Sequence, residues 1–133
     1  MSGSMADFVK TVPAGALRLE IDDPQDHYLR MAVGEIHGWF AASDIDIPED
    51  YWFEVGSVRI PHRTVSRADV EGVMPGYAVA GFVITYDLAE YLPYIDGHQW
   101  KVRLILPDFR PKLLKFTIAE NALGNCLAAA SDI

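Results

Sequence analysis

Ile36-His37-Gly38-Trp39-Phe40, then Arg67-Ala68-Asp69-Val70, then Met74-Pro75 and Ala80-Gly81-Phe82, mark out the stretch 36–82 on whose reading the fold turns. A glycine precedes a large aromatic at each end, Gly38 before Trp39 and Gly81 before Phe82. A residue without Cβ inside an apolar, strand-like run points to close approach by a neighbouring backbone or ring. Arg67 and Asp69, two apart in a turn, are placed to pair with each other or to tie the crossing loop to the sheet. The alternative role for Arg67 is contact with an acidic or hydroxylated ligand.

Outward from that stretch the chain alternates. Leu17, Leu19 and Ile21 interleave with Arg18, Glu20 and Asp22, the period-2 pattern of a half-buried strand. In Tyr28 to Phe40 the apolar parity of Leu29, Met31 and Val33 switches to that of Ile36, Gly38 and Phe40. In Tyr51 to Ile60 it switches across Gly56-Ser57. Both switches read as β-bulges in single strands. Tyr77 to Asp87 is apolar on both parities, as a central strand buried on both faces would be. Asp96-Gly97 is a turn signal. Trp100, Val102 and Leu104 then alternate with Lys101 and Arg103, and Leu114, Phe116 and Ile118 with Lys115 and Thr117, predicting an antiparallel hairpin. Ser66 reads as the N-cap of one helical turn through Val70, and the Ala/Leu-rich tail 121–130 as a poorly packed helical turn, a final strand being the alternative. The expected fold is all-β: an antiparallel, immunoglobulin-like β-sandwich of six to seven strands with one short helical turn, an open barrel being the competing arrangement. Met1 to Ser4 read as a vector-derived remnant, and 5–133 as one domain.

The segments quoted above, taken together, resemble a small β-sandwich accessory domain attached to bacterial glycosyltransferases and methyltransferases of surface-polysaccharide assembly. The I-x-G-W, R-x-D-V and G-F elements recur there in this order and at about these separations. The resemblance spans residues 28–107. It implies a sandwich fold and an accessory, non-catalytic role beside a transferase, and no family catalytic residues attach to these motifs.

Composition narrows the remaining choices. With 19 acidic and 11 basic residues the formal net charge is −8, and no Lys/Arg cluster stands out, which argues against nucleic acid as a partner. No apolar run reaches the ~18 residues of a transmembrane helix, and no signal peptide is evident. The single cysteine, Cys126, reads as a buried apolar residue, compatible with a reducing, cytoplasmic setting. His27, His37, His62 and His98 lack metal-ligand spacing, no nucleophile elbow occurs, and the acidic run Asp44–Asp50 reads as a solvated loop rather than a Ca²⁺ site. Neither a catalytic residue, a metal nor a cofactor is expected.

Binding is the remaining chemistry. Pyranose C–H faces stack on exposed aromatic rings. Trp39 and Trp52 fall on the parity opposite Phe40 and Phe53, so both are expected to point out of the sandwich. Tyr51 and Tyr77 lie at strand ends. Trp39, Trp52, Tyr51, Tyr77 and Arg67 are therefore the candidate ligand-binding residues, with a glycan as ligand. The competing expectation is a protein-interaction or homodimerisation module, with a neighbouring transferase domain or a second copy covering the same aromatics.

Overall fold

The computed structural model describes residues 17–43, 50–107 and 109–131. Among the described residues ten strands form two sheets. The first contains β1 (Leu17–Asp23), β3 (Val33–Ser43), β6 (His62–Val65) and β7 (Tyr77–Asp87), in the order β1-β3-β7-β6. The second contains β2 (Tyr28–Leu29), β4 (Trp52–Val55), β5 (Val58–Ile60), β9 (Gln99–Ile105) and β10 (Lys112–Ile118), in the order β2-β10-β9-β4-β5, with β8 (Ile95–Asp96) beside β9. The all-β sandwich expected from the alternation is present, and its pairings are antiparallel except β2 on β10, which is parallel.

The strand count exceeds six to seven because both parity switches mark strand ends, not bulges. β3 pairs with β7 in unbroken register from Val33↔Asp87 to Ser43↔Tyr77, so Gly34 bulges nothing. The first switch arises because β2 lies in the second sheet and β3 in the first, with the chain crossing between them over 30–32. The second is a two-residue hairpin: Val55 pairs with Val58 and Phe53 with Ile60 around Gly56-Ser57, where Gly56 takes φ +55°. A two-residue turn returns the chain on the same face, which in sequence looks like a slipped parity.

β7 is central, between β3 and β6, as its two-sided apolar run requires. Inward residues of both sheets fill the core. Phe40, Phe53 and Phe82 meet at one end, with Phe53 and Phe82 centroids 4.6 Å apart, and Tyr86, Tyr91, Trp100 and Phe116 pack at the other. Gly38 faces this core. A Cβ there would lie 2.5 Å from the Glu20 carbonyl oxygen and 2.7 Å from Phe82 Cζ, so the glycine makes room for the Phe82 ring against β1.

Among the described residues three helical pieces accompany the sheets. α1 (Ala68–Val73) begins one residue later than expected, and its N-cap is Arg67, without a side-chain cap bond; Ser66 does not cap it. A 3-10 helix, Leu88–Tyr94, starts where the Asp87 carboxylate accepts from the Ala89 amide at 3.1 Å. α2 (Glu120–Ser131) is a full helix packed on that 3-10 segment, with Ala122 and Cys126, one turn apart, both buried. The tail was legible as helical, but not as packed. Burial raises the Cys126 thiol pKa, so it stays protonated and inert.

Gly38→Ala is expected to cost about 1–3 kcal/mol by overpacking, read by urea unfolding. A second prediction concerns His62, half-buried on β6 against the Tyr51 and Phe53 rings, 4.8 and 5.4 Å away. Desolvation lowers its pKa below the ordinary 6.5. The unfolded chain therefore takes up a proton first, and stability falls as pH drops through 6.5. Melting curves between about pH 7 and 5 should show that fall, and His62→Leu should flatten it.

Candidate functional site

The five aromatic and basic candidates do not converge. Trp39, Arg67 and Tyr77 belong to the outer face of the first sheet, Tyr51 to the core, and Trp52 to the outer face of the second sheet.

On the first sheet the quoted segments assemble into a clasp. Arg67 leaves the end of β6 and its side chain crosses β7 at Gly81, where a Cβ would collide with the Arg67 stem and lie 2.7 Å from the Val65 carbonyl oxygen. Its guanidinium donates from Nε and Nη2 to the Asp69 carboxylate at 3.0 and 2.9 Å, and from Nη1 to Asp22 on β1. These bonds raise the Arg67 pKa further and hold the Asp69 carboxyl below its usual range. Held in this way, α1 lays Val70 and Met74 over Trp39, which is only 8% exposed and packs also with Ala41 and Val79. The Arg18 guanidinium sits 5.4 Å from the Trp39 ring centre. Trp39 does point out of the sandwich, but the chain's own helix covers it. It is not a ligand platform, and the Arg67 fork is committed to two internal carboxylates.

Tyr51 is likewise withdrawn. It is 8% exposed, packs edge-on against Phe40 with centroids 4.9 Å apart, and shares a 2.6 Å hydrogen bond with the Thr64 hydroxyl. It does lie at a strand end, directly before β4, as the sequence suggests, but partners from β3 and β6 bury it there. Tyr77 remains exposed beyond the end of α1, away from the other candidates.

Trp52 is the other candidate left accessible. It is half-buried on β4, its Nε1 donates to Glu54 at 3.1 Å, and the Arg59 guanidinium lies 4.1 Å from its ring centre. Glu54 also accepts from Arg103 on β9. Around this cluster the outer face of the second sheet carries Lys101, Arg103 and Ile105 from β9, Leu113, Lys115 and Thr117 from β10, and Tyr28 from β2. Tyr28 and Leu113 are exposed, and Arg30 stacks on Tyr28 at 5.0 Å. None of these cations was a candidate in sequence. The signal was present in the β9–β10 alternation, which places Lys101, Arg103 and Lys115 on the wet face of one hairpin.

A shallow cleft of about 300 Å³ opens at the Tyr28 end, lined among others by Arg30, Met31, Glu35, His37 and Tyr86. His37 and Glu35 are 3.3 Å apart and both accessible, and Arg30 is paired with Asp26 at 2.7 Å. Among the described residues no group of three or more His, Cys, Asp or Glu is arranged to hold a metal ion. The acidic run lies outside the described residues except for the exposed Asp50. No described helix is long and apolar enough to cross a membrane. Comparison with protein-family models, curated proteins and solved structures finds no match to this chain.

If the clasp covers Trp39, loosening it must expose the ring. In a Trp52→Phe background, Arg67→Ala and Gly81→Ala should each lower the melting temperature and raise acrylamide quenching of tryptophan fluorescence. Arg67→Lys should do the same, because an ammonium cannot reproduce the two-pronged bond to Asp69.

Proposed function

We propose that this chain is a non-catalytic binding module that holds carbohydrate weakly on the outer face of its second sheet, as an accessory unit of a cytoplasmic polysaccharide-assembly system. The observation that carries the reading is the inequality of the two faces. The first sheet is closed by the chain's own α1, whereas among the described residues no element lies over the second, which carries Trp52 and Tyr28 at opposite ends. Indole and phenol rings flanked by Arg59, Arg30 and Glu54 combine apolar ring faces with planar polar groups, which is what a saccharide requires. The resemblance of the 36–82 segments to accessory domains of polysaccharide assembly supports the same reading, although those residues build the clasp and not the open face.

A second reading is favoured by Leu113, 49% exposed in the middle of the same face: a protein partner or second copy would bury it with Trp52 and Tyr28.

Titration of neutral and acidic polysaccharide fragments, followed by amide shifts and tryptophan fluorescence, separates the two. The glycan reading expects shifts confined to β4, β9 and β10 and binding about tenfold weaker in Trp52→Ala, the loss of one stacking partner. Silence at millimolar saccharide, with a dimer in sedimentation that Trp52→Ala dissociates, would favour the protein-partner reading.

A further inference from the structure

The open face is basic in an acidic protein. The whole chain has 19 acidic and 11 basic residues, yet Arg59, Lys101, Arg103 and Lys115 all project from this one surface. Among the described residues its acids are Glu54, already bonded to Arg103 and to the Trp52 indole, Asp96 on β8, and, at the Tyr28 end, Asp26, which is paired with Arg30. Lys101 and Lys115 are direct cross-strand partners in the β9–β10 register, and neither has an ion-pair partner among the described residues. Like charges placed opposite each other on a sheet destabilise it. Folding alone gives no reason for two lysines there, since a carboxylate at either position would be more stable.

We propose that the ligand of this face is an acidic oligosaccharide, whose carboxylates are held by Lys101 and Lys115 while its sugar rings lie toward Trp52 and Tyr28. This inference rests on the carbohydrate-binding reading above and adds the charge class of the ligand.

The geometry is that of an extended chain. Tyr28 aligns with Thr117, Thr117 with Gln99, and six residues further along β9 Ile105 aligns with Trp52. With strands ~4.8 Å apart and a rise of ~3.4 Å per residue, the two rings stand about 25 Å apart on a diagonal across the face. The lysine pair lies between them. A nucleic acid is disfavoured. Its charges come every ~1.7 Å of duplex, a density that two free lysines and Arg59 do not neutralise, and the rest of the molecule, at −8 overall, repels it. A saccharide with carboxylates at sugar spacing presents a sparser charge.

The test uses the full 133-residue chain and four probes: tetragalacturonate, its fully methyl-esterified form, an oligothymidylate and a polyglutamate peptide. The expected result is that tetragalacturonate shifts the amides of β9 and β10 and the Trp52 indole, and that the ester binds at least about tenfold more weakly. Affinity for the acid should fall as salt is raised. The double variant Lys101→Gln/Lys115→Gln should lose about tenfold in affinity for the acid. Because it relieves a like-charge pair, its melting temperature should hold or rise, which separates ligand binding from a structural role; if that variant melts lower, the comparison of acid and ester on the unaltered chain decides. Equal binding of acid and ester would overturn the charge class and leave the carbohydrate reading standing. Silence from both sugars would remove both. Tighter binding of oligothymidylate or polyglutamate than of tetragalacturonate would overturn the proposal in favour of that ligand class.

Discussion

Everything on the first sheet depends on one side chain crossing one glycine. Arg67 reaches over β7 at Gly81, grips Asp69 with two nitrogens and reaches Asp22 on β1 with the third. It thereby joins the crossing loop after β6 to the far edge of the four-stranded sheet. A lysine could supply the charge but not the planar fork, and any side chain at position 81 would lift the arginine off the sheet. Gly38 is the counterpart on the opposite side of the same sheet, where the missing Cβ admits the ring of Phe82. The residues quoted from 36 to 82 are thus one construction: two glycines, each opening space for a residue of another segment, with Trp39 enclosed beneath the helix that the clasp holds.

That construction explains what was legible in the sequence and what was not. Period-2 alternation located β1, β9 and β10, and the run apolar on both parities located β7, because each buries at least one full face, and burial is written residue by residue. Strand breaks were harder to see. The hairpin at Gly56-Ser57 and the sheet change after Leu29 both alter parity by the offset a bulge would produce, and only the pairing partners tell them apart. For the candidate site, parity correctly turned Trp39 and Trp52 outward. Outward is a property of the strand, however, and exposure is a property of whatever lies over it. Val70 and Met74 cover Trp39 from a helix nearly thirty residues on, which no local pattern encodes. Tyr51 does stand at a strand end, but its burial was hidden for the same reason, since its partners, Phe40 and Thr64, come from two other strands.

The two outer faces also differ in how their charges are used. On the first sheet the arginines are bound into the fold: Arg67 in the clasp, Arg18 over Trp39 and in contact with Glu20 at 3.2 Å. On the second sheet Arg103 is tied to Glu54, but Lys101 and Lys115 face each other with no ion-pair partner among the described residues. A net charge taken over the whole chain hides this division, because folding gathers cations from separate strands onto one surface.

The parallel pairing of β2 with β10 has a consequence for how the molecule comes into being. β2 directly follows the turn after β1, yet its partner is the last strand of the chain. The N-terminal segment therefore has no place in the second sheet until β9 and β10 exist to receive it. On a ribosome the first sheet can complete itself with β7, while Tyr28 and Leu29 wait until β10 has been made. A fold closed by such long-range pairing incurs its loop entropy early and gains its contacts late. Closure of this sandwich waits on β10, and a protein truncated before it would leave Leu29 without its partner strand.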